Sequence, residues 1–137
     1  MKGIQIEGDQ LVWTDMPRPA LEAGSIRIRV KASAVNRADL SQRTGGYPPP
    51  PGASHILGLE GSGVVDQIAA DVTGFAVGDS VCALLAGGGH AEEVVVPAGQ
   101  VLPIPKGLSF VQAAALPEVF ATAYLNLYGE AALRPGE

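Results

Sequence analysis

SIRIRVKASAV, Ser25–Val35, reads as a β-strand. Ile26, Ile28 and Val30 alternate with Arg27, Arg29 and Lys31. One face is therefore apolar and core-directed, and the other is charged and faces out, the period of a half-buried strand. Gly61–Ala69, rich in β-branched residues, reads as a second strand. Between them lies NRADLSQRTGGYPPPPGASHILGLEGSG, Asn36–Gly63. That connection is far longer than the usual loop of about four to six residues. Long ordered insertions in compact domains are often functional.

Within the insertion, Asn36 reads as a helix N-cap with Asp39 at N3, opening a short helix that runs to about Arg43. This structural role is a sufficient account of both residues on local grounds. Thr44-Gly45-Gly46-Tyr47 ends the helix, and Pro48–Pro51 is a rigid extended segment. Tyr47 sits between glycine and proline, where an aromatic ring can simply cover a core edge.

Toward the N-terminus, Ile4 and Ile6 alternate with polar residues, Gly8-Asp9 turns, and Gln10–Thr14 returns as the second strand of a hairpin. Toward the C-terminus, Asp79–Leu85, His90–Val96 and Val101–Ile104 read as short strands. The pattern changes near residue 107. Ser109 and Gln112 make a capping-box pair before an alanine-rich helix, and Pro117 fits N1 of a second helix. On that helix Val119, Phe120, Ala123, Tyr124, Leu127 and Tyr128 share one face. Many short strands followed by helices point to a mainly β protein with a closed or partly open barrel.

Composition bounds the function. The chain has 137 residues, 47% of them apolar, enough for one domain with a real core. Its formal charge is −5 and its nine basic residues are scattered, so neither nucleic acid nor an anionic membrane surface is an expected partner. There is no apolar run of membrane-spanning length and no apolar signal core at the N-terminus. The expectation is a soluble cytoplasmic protein. The single cysteine, Cys82, forms no intramolecular disulfide. His55 and His90 are the only histidines, and zinc needs three or four well-placed ligands, so no metal site is expected.

Two glycine clusters invite misreading. Gly58-Leu59-Glu60-Gly61-Ser62-Gly63 has the order G-x-x-G-x-G and precedes a strand, so it does not match the G-x-G-x-x-G phosphate turn. Backbone crowding at the strand start explains it better. Gly87-Gly88-Gly89 also precedes a strand and reads as a hairpin turn.

Taken together, VKASAVNRADLSQRTGGY, PPPPGASHILGLEGSG, VGDSVCALLAGGGHAEEVVVP and LPIPKGLSFVQAAALPEVFATAY resemble the zinc-free, zeta-crystallin-like quinone oxidoreductase branch of the medium-chain dehydrogenase/reductase superfamily. The pieces fall in the family's order and cover nearly the whole chain. The resemblance implies a GroES-like, partly open β-barrel over residues 1–116, with short helices. Residues 117–137 would form a helix leading toward a Rossmann cofactor domain. Zinc-dependent members carry Cys where this chain has Asn36, and His where it has Leu59. Both differences remove metal ligands.

In such relatives hydride passes from NADPH to a quinone or an activated double bond, and the cofactor carries the chemistry. By resemblance, Asn36, Asp39 and Thr122 would lie at the nicotinamide end of the cleft, and Tyr47 would point its hydroxyl at the acceptor carbonyl. No Rossmann glycine fingerprint follows within the 137 residues. The expectation is therefore half of an active site, which alone binds NADPH weakly or not at all and turns over no quinone. The apolar face of the last helix suggests a homodimer. Two other readings share these motifs: a stand-alone GroES-like binding module, and an alkene or enoyl reductase of the same superfamily.

Overall fold

The computed structural model describes residues 1–137. Two strands, β1 (Lys2–Glu7) and β2 (Gln10–Asp15), form an antiparallel hairpin closed by Gly8-Asp9, as the sequence predicts. The remaining strands are β3 (Ser25–Ser33), β4 (Glu60–Ile68), β5 (Ser80–Leu84), β6 (Glu93–Pro97) and β7 (Val101–Pro103). They make a second, antiparallel sheet in the order β6-β3-β4-β5-β7. The two sheets do not close on each other, so the mainly β domain is an open barrel. No helix is long and apolar enough to cross a membrane.

The core follows from strand alternation. Ile28 on β3 stands opposite Val65 on β4 and Val94 on β6. These residues pack with Ile26, Val81, Ala83, Leu85, Val96 and Val101 in one buried cluster. Fully burying such a side chain contributes roughly 1.5–3 kcal/mol. The opposite face of β3 departs from expectation. Arg29 is exposed as predicted, but Arg27 is only 9% exposed. Its guanidinium lies 3.1 Å from Asp66 and 3.9 Å from Glu93. Arg18, from the proline-bearing segment after β2, covers the same two carboxylates at 2.9 and 2.5 Å. A charge on the outer face is thus roofed by a distant segment, which strand alternation does not reveal.

Helix α1 (Arg37–Arg43) ends where predicted, while β3 stops at Ser33, two residues early. Register shifts between Arg27 and Ile28 and between Val30 and Ala32 bend the strand, and Val35 is left 68% exposed. The alanine-rich segment forms only a four-residue helix, α2 (Phe110–Ala113), capped by Ser109 and Gln112. Helix α3 (Pro117–Tyr124) starts on its proline and continues as a π-helical segment, Leu125–Glu130.

The turn at Gly87-Gly88-Gly89 is not the hairpin expected from sequence. Strands β5 and β6 are not paired, and they lie on opposite sides of the β3–β4 pair. The chain instead crosses over and docks against the end of the long insertion. Gly88, Gly89 and His90 donate backbone N–H groups to the carbonyls of Ile56, Gly58 and Leu57. A Cβ at Gly58 would sit 2.6 Å from Gly89 Cα. Backbone crowding is therefore what the Gly58–Gly63 cluster serves.

Candidate functional site

The insertion and the start of α3 meet at β4, and two buried carboxylates hold the junction. Asp39, 2% exposed, reaches in two directions from the first turn of α1. Its Oδ2 accepts the Asn36 backbone N–H at 2.7 Å, and its Oδ1 accepts the Gly58 N–H at 2.9 Å. The expected helix-start pair is thus also a clasp between α1 and the crowded glycine segment.

Glu60, at the head of β4, is fully buried. Its Oε1 accepts from Asn36 Nδ2 and its Oε2 from the Glu118 backbone N–H, each at 2.9 Å. Glu118 lies in the first turn of α3, where unpaired N–H groups and the helix dipole favour a carboxylate. Charge-assisted bonds of this kind are stronger than neutral ones. Every buried side-chain polar atom in the chain has a partner.

The sequence-predicted residues divide into two groups. Asn36 and Asp39 are together, and Glu60 ties Asn36 to the start of α3, which carries Thr122. The Thr122 hydroxyl is exposed and its Oγ1 donates to Glu118 Oε1 at a long 3.4 Å. Tyr47 stands apart. It is 43% exposed on a cleft of about 510 Å³ shared with Ile4, Met16, Gln42, His55 and Ile56. A second cleft of about 520 Å³, beneath the proline-bearing segment before β3, is lined by none of the four.

Sequence reasoning missed Glu60 and His90 as members of this junction. His90 follows the glycine turn, with a side chain 14% exposed. Its Nδ1 shares a hydrogen bond of 2.9 Å with Ser33 Oγ, and its Nε2 lies 3.9 Å from Asp39 Oδ2. Burial pushes its pKa below the ordinary 6.5, while the nearby Asp39 pulls it up. The available signal was Glu60 itself, a charge between glycines at the start of an apolar strand. Cys82 is buried on β5, and burial pushes its thiol pKa up, away from reactive thiolate.

The donor set does not fit zinc. No three His, Cys, Asp or Glu side chains cluster in ligating geometry. Asn36 Nδ2 acts as a hydrogen-bond donor, and both carboxylates have each oxygen taken by an N–H group. Position 59 holds a leucine, 7% exposed.

The alcohol dehydrogenase GroES-like domain matches residues 22–106. The synaptic vesicle membrane protein VAT-1 homolog of Danio rerio is 40% identical over 120 residues, covering 88% of this chain and 25% of that protein. The quinone oxidoreductase from Thermus thermophilus, solved alone and with NADPH, superposes with a TM-score of 0.80 at 40% identity. That match covers 100% of this chain and 43% of the enzyme. CurK enoyl reductase superposes with a TM-score of 0.89 at 28% identity, covering 99% of this chain and 45% of that one. The chain thus spans a quarter of the vesicle protein and less than half of either reductase.

Proposed function

Because this chain belongs to the alcohol dehydrogenase GroES-like domain family, within the medium-chain dehydrogenase/reductase superfamily, we propose that it is the substrate-side domain of a zinc-independent reductase that transfers hydride from NADPH to a quinone. The observation that carries this reading is the bridge from Asn36 through Glu60 to the start of α3. By the resemblance, Asn36 stands where zinc-dependent relatives carry a metal ligand, and its amide is instead engaged by the Glu60 carboxylate, which supports the zinc-independent reading.

NADPH supplies the hydride when bound. Asn36 and Thr122, on the two elements joined by Glu60, would hold its nicotinamide end. Both glycine clusters of this chain feed strands, so the cofactor's phosphates would be held elsewhere. The Tyr47 hydroxyl, exposed on its cleft, would donate to the acceptor carbonyl and stabilise charge developing on that oxygen. The clasped junction keeps α1 and α3 at a fixed separation, which is how a protein orients reactants without supplying the chemistry.

An enoyl reductase is the second reading, favoured by the closer superposition on a protein of that activity. Both readings are tested by following NADPH oxidation by the complete gene product with a quinone and with an enoyl thioester. Turnover of the quinone supports the first and turnover of the thioester alone supports the second. Oxidation with neither leaves a binding module and overturns both. In an active protein, Tyr47→Phe should reduce quinone turnover about tenfold or more, the scale of losing one donor to a developing oxyanion. Undiminished turnover would remove Tyr47 from the site.

A further inference from the structure

The cleft beside Tyr47 holds a polar group that no other part of the chain engages. The cleft measures about 510 Å³, in the range of small-molecule sites, and Ile4, Ile6, Met16 and Ile56 give it apolar walls. No Asp, Glu, Lys or Arg lines it. Of its polar side chains, Gln5, Tyr47 and His55 are exposed, while Gln42 is buried and only 9% exposed. Gln42 lies in the last turn of α1, on the same inward side as Asp39. Asp39 spends both carboxylate oxygens on backbone N–H groups. The Gln42 amide makes no hydrogen bond within the chain. Every fully buried side-chain polar atom has a partner, so this unpartnered amide is the part of Gln42 that opens into the cleft.

We infer that Gln42 is a binding residue of this cleft, and that the cleft takes a neutral, largely apolar molecule with an N–H or O–H donor next to a carbonyl. The ligand chemistry follows from the amide. A primary amide sets one acceptor oxygen beside two N–H donors, and both ends of Gln42 are unspent. Water can serve both ends in the free protein. A molecule that displaces it keeps those bonds only by offering a donor and an acceptor side by side. A lactam edge does so, with its N–H to Gln42 Oε1 and its carbonyl oxygen to Gln42 Nε2. A carbonyl alone leaves the amide oxygen unpaired at a nearly buried site, where an unmet polar group is costly. The lining sets the ligand's charge, because an ionised group would lose water there and meet no carboxylate, lysine or arginine. The assignment of Gln42 stands on this chain's own geometry. Only the identification of the bound molecule as the hydride acceptor rests on the proposed reductase reading.

The test uses the chain as it stands, with isatin and N-methylisatin as probes and Gln42→Leu as the variant. Isatin is a flat, neutral dione with an N–H beside a ring carbonyl. N-methylisatin keeps the ring and both carbonyls but lacks that donor. In the unsubstituted protein, isatin should shift the backbone amide NMR signals of Gln42, Gly45 and Tyr47. It should bind about tenfold or more tightly than N-methylisatin, the scale of one hydrogen bond to a nearly buried group. Equal affinity for the two probes, shifts confined to other parts of the chain, or no shift with either overturns the assignment. Leucine matches glutamine in length and helix preference, so Gln42→Leu should keep Tm within about 4 °C of the parent or raise it. A larger fall would mean that protein groups hold the amide, and overturns the assignment as well. The variant should bind both probes alike, and a preference for isatin that survives in it also overturns the assignment. Failure of the reductase reading would show separately, as isatin bound with its N–H preference intact but no NADPH oxidation by the complete gene product with isatin, a quinone or an enoyl thioester.

Discussion

Asp39 Oδ1 accepts the Gly58 backbone N–H at 2.9 Å, from a side chain only 2% exposed and 19 residues earlier in the chain. The same carboxylate closes the first turn of α1 through Asn36. One side chain therefore holds both ends of the long insertion. Asp39→Ala removes the cap and leaves the buried Gly58 N–H unpaired. The expected cost is about 2–4 kcal/mol in urea unfolding, combining a lost cap with an unsatisfied buried donor. Asp39→Asn should cost less, because one amide oxygen can still serve Gly58. A loss below about 0.5 kcal/mol for Asp39→Ala would mean that the clasp contributes little.

Gly58 has its own constraint. Its φ is +107°, and an added Cβ would lie 2.6 Å from Gly89 Cα and from the His90 nitrogen. Those are backbone atoms of a docked turn and have no rotamer to escape into. Gly58→Ala should destabilise the domain by about 3 kcal/mol or more, through strain and steric overlap together. A thermal unfolding curve unchanged from the parent protein would contradict that placement.

His90 gives the domain a pH dependence whose sign follows from its burial. In the folded chain its pKa lies below the ordinary 6.5 that it regains on unfolding. Between those two values the unfolded state binds more protons. The stability held by neutral His90 is therefore complete above about pH 6.5 and is lost as pH falls below it. Urea midpoints should drop between about pH 7.5 and pH 5.5. His90→Gln can still share a hydrogen bond with Ser33 but does not titrate, so its profile should be flatter over that interval. An equally steep profile would assign the slope to other groups. Glu93 acts separately and at lower pH. The hydrogen bond from Arg18 holds its pKa below the ordinary 4.5, so its contribution is lost in more acidic solution.

The outer face of α3 and the following π-helical segment should be nearly silent in stability. Phe120 is 63% exposed, Tyr124 68% and Tyr128 53%. Side chains that bury little area contribute little on folding. Phe120→Ser and Tyr128→Ser should each change stability by less than about 0.5 kcal/mol. A larger loss that grows with protein concentration would mean that another copy of the chain covers this face.

The Ser25–Ser33 strand, the β1–β2 hairpin, the span of α1 and the proline start of α3 were legible because each depends on neighbours a few residues away. Period-2 alternation, a turn glycine, a capping pair and a proline at N1 are local physics. The shortage of histidine and cysteine was also legible, since residue types can be counted without coordinates. Arg27 was misjudged because its cover comes from Arg18, Asp66 and Glu93, and strand alternation describes faces but not what lies over them. The Gly87-Gly88-Gly89 turn was misjudged because a hairpin and a crossover use the same glycines.

What the sequence determined by itself was the set of elements and the chemical types at hand. Tertiary structure alone decided what Glu60 and His90 do. Glu60 bridges residues 24 before and 58 after it, and His90 meets Ser33 57 residues away. No periodicity carries such distances, because a buried charge is placed by the donors that converge on it when the sheet assembles. Asn36 could be named from sequence, but its hydrogen bond to Glu60, at the head of β4, could not.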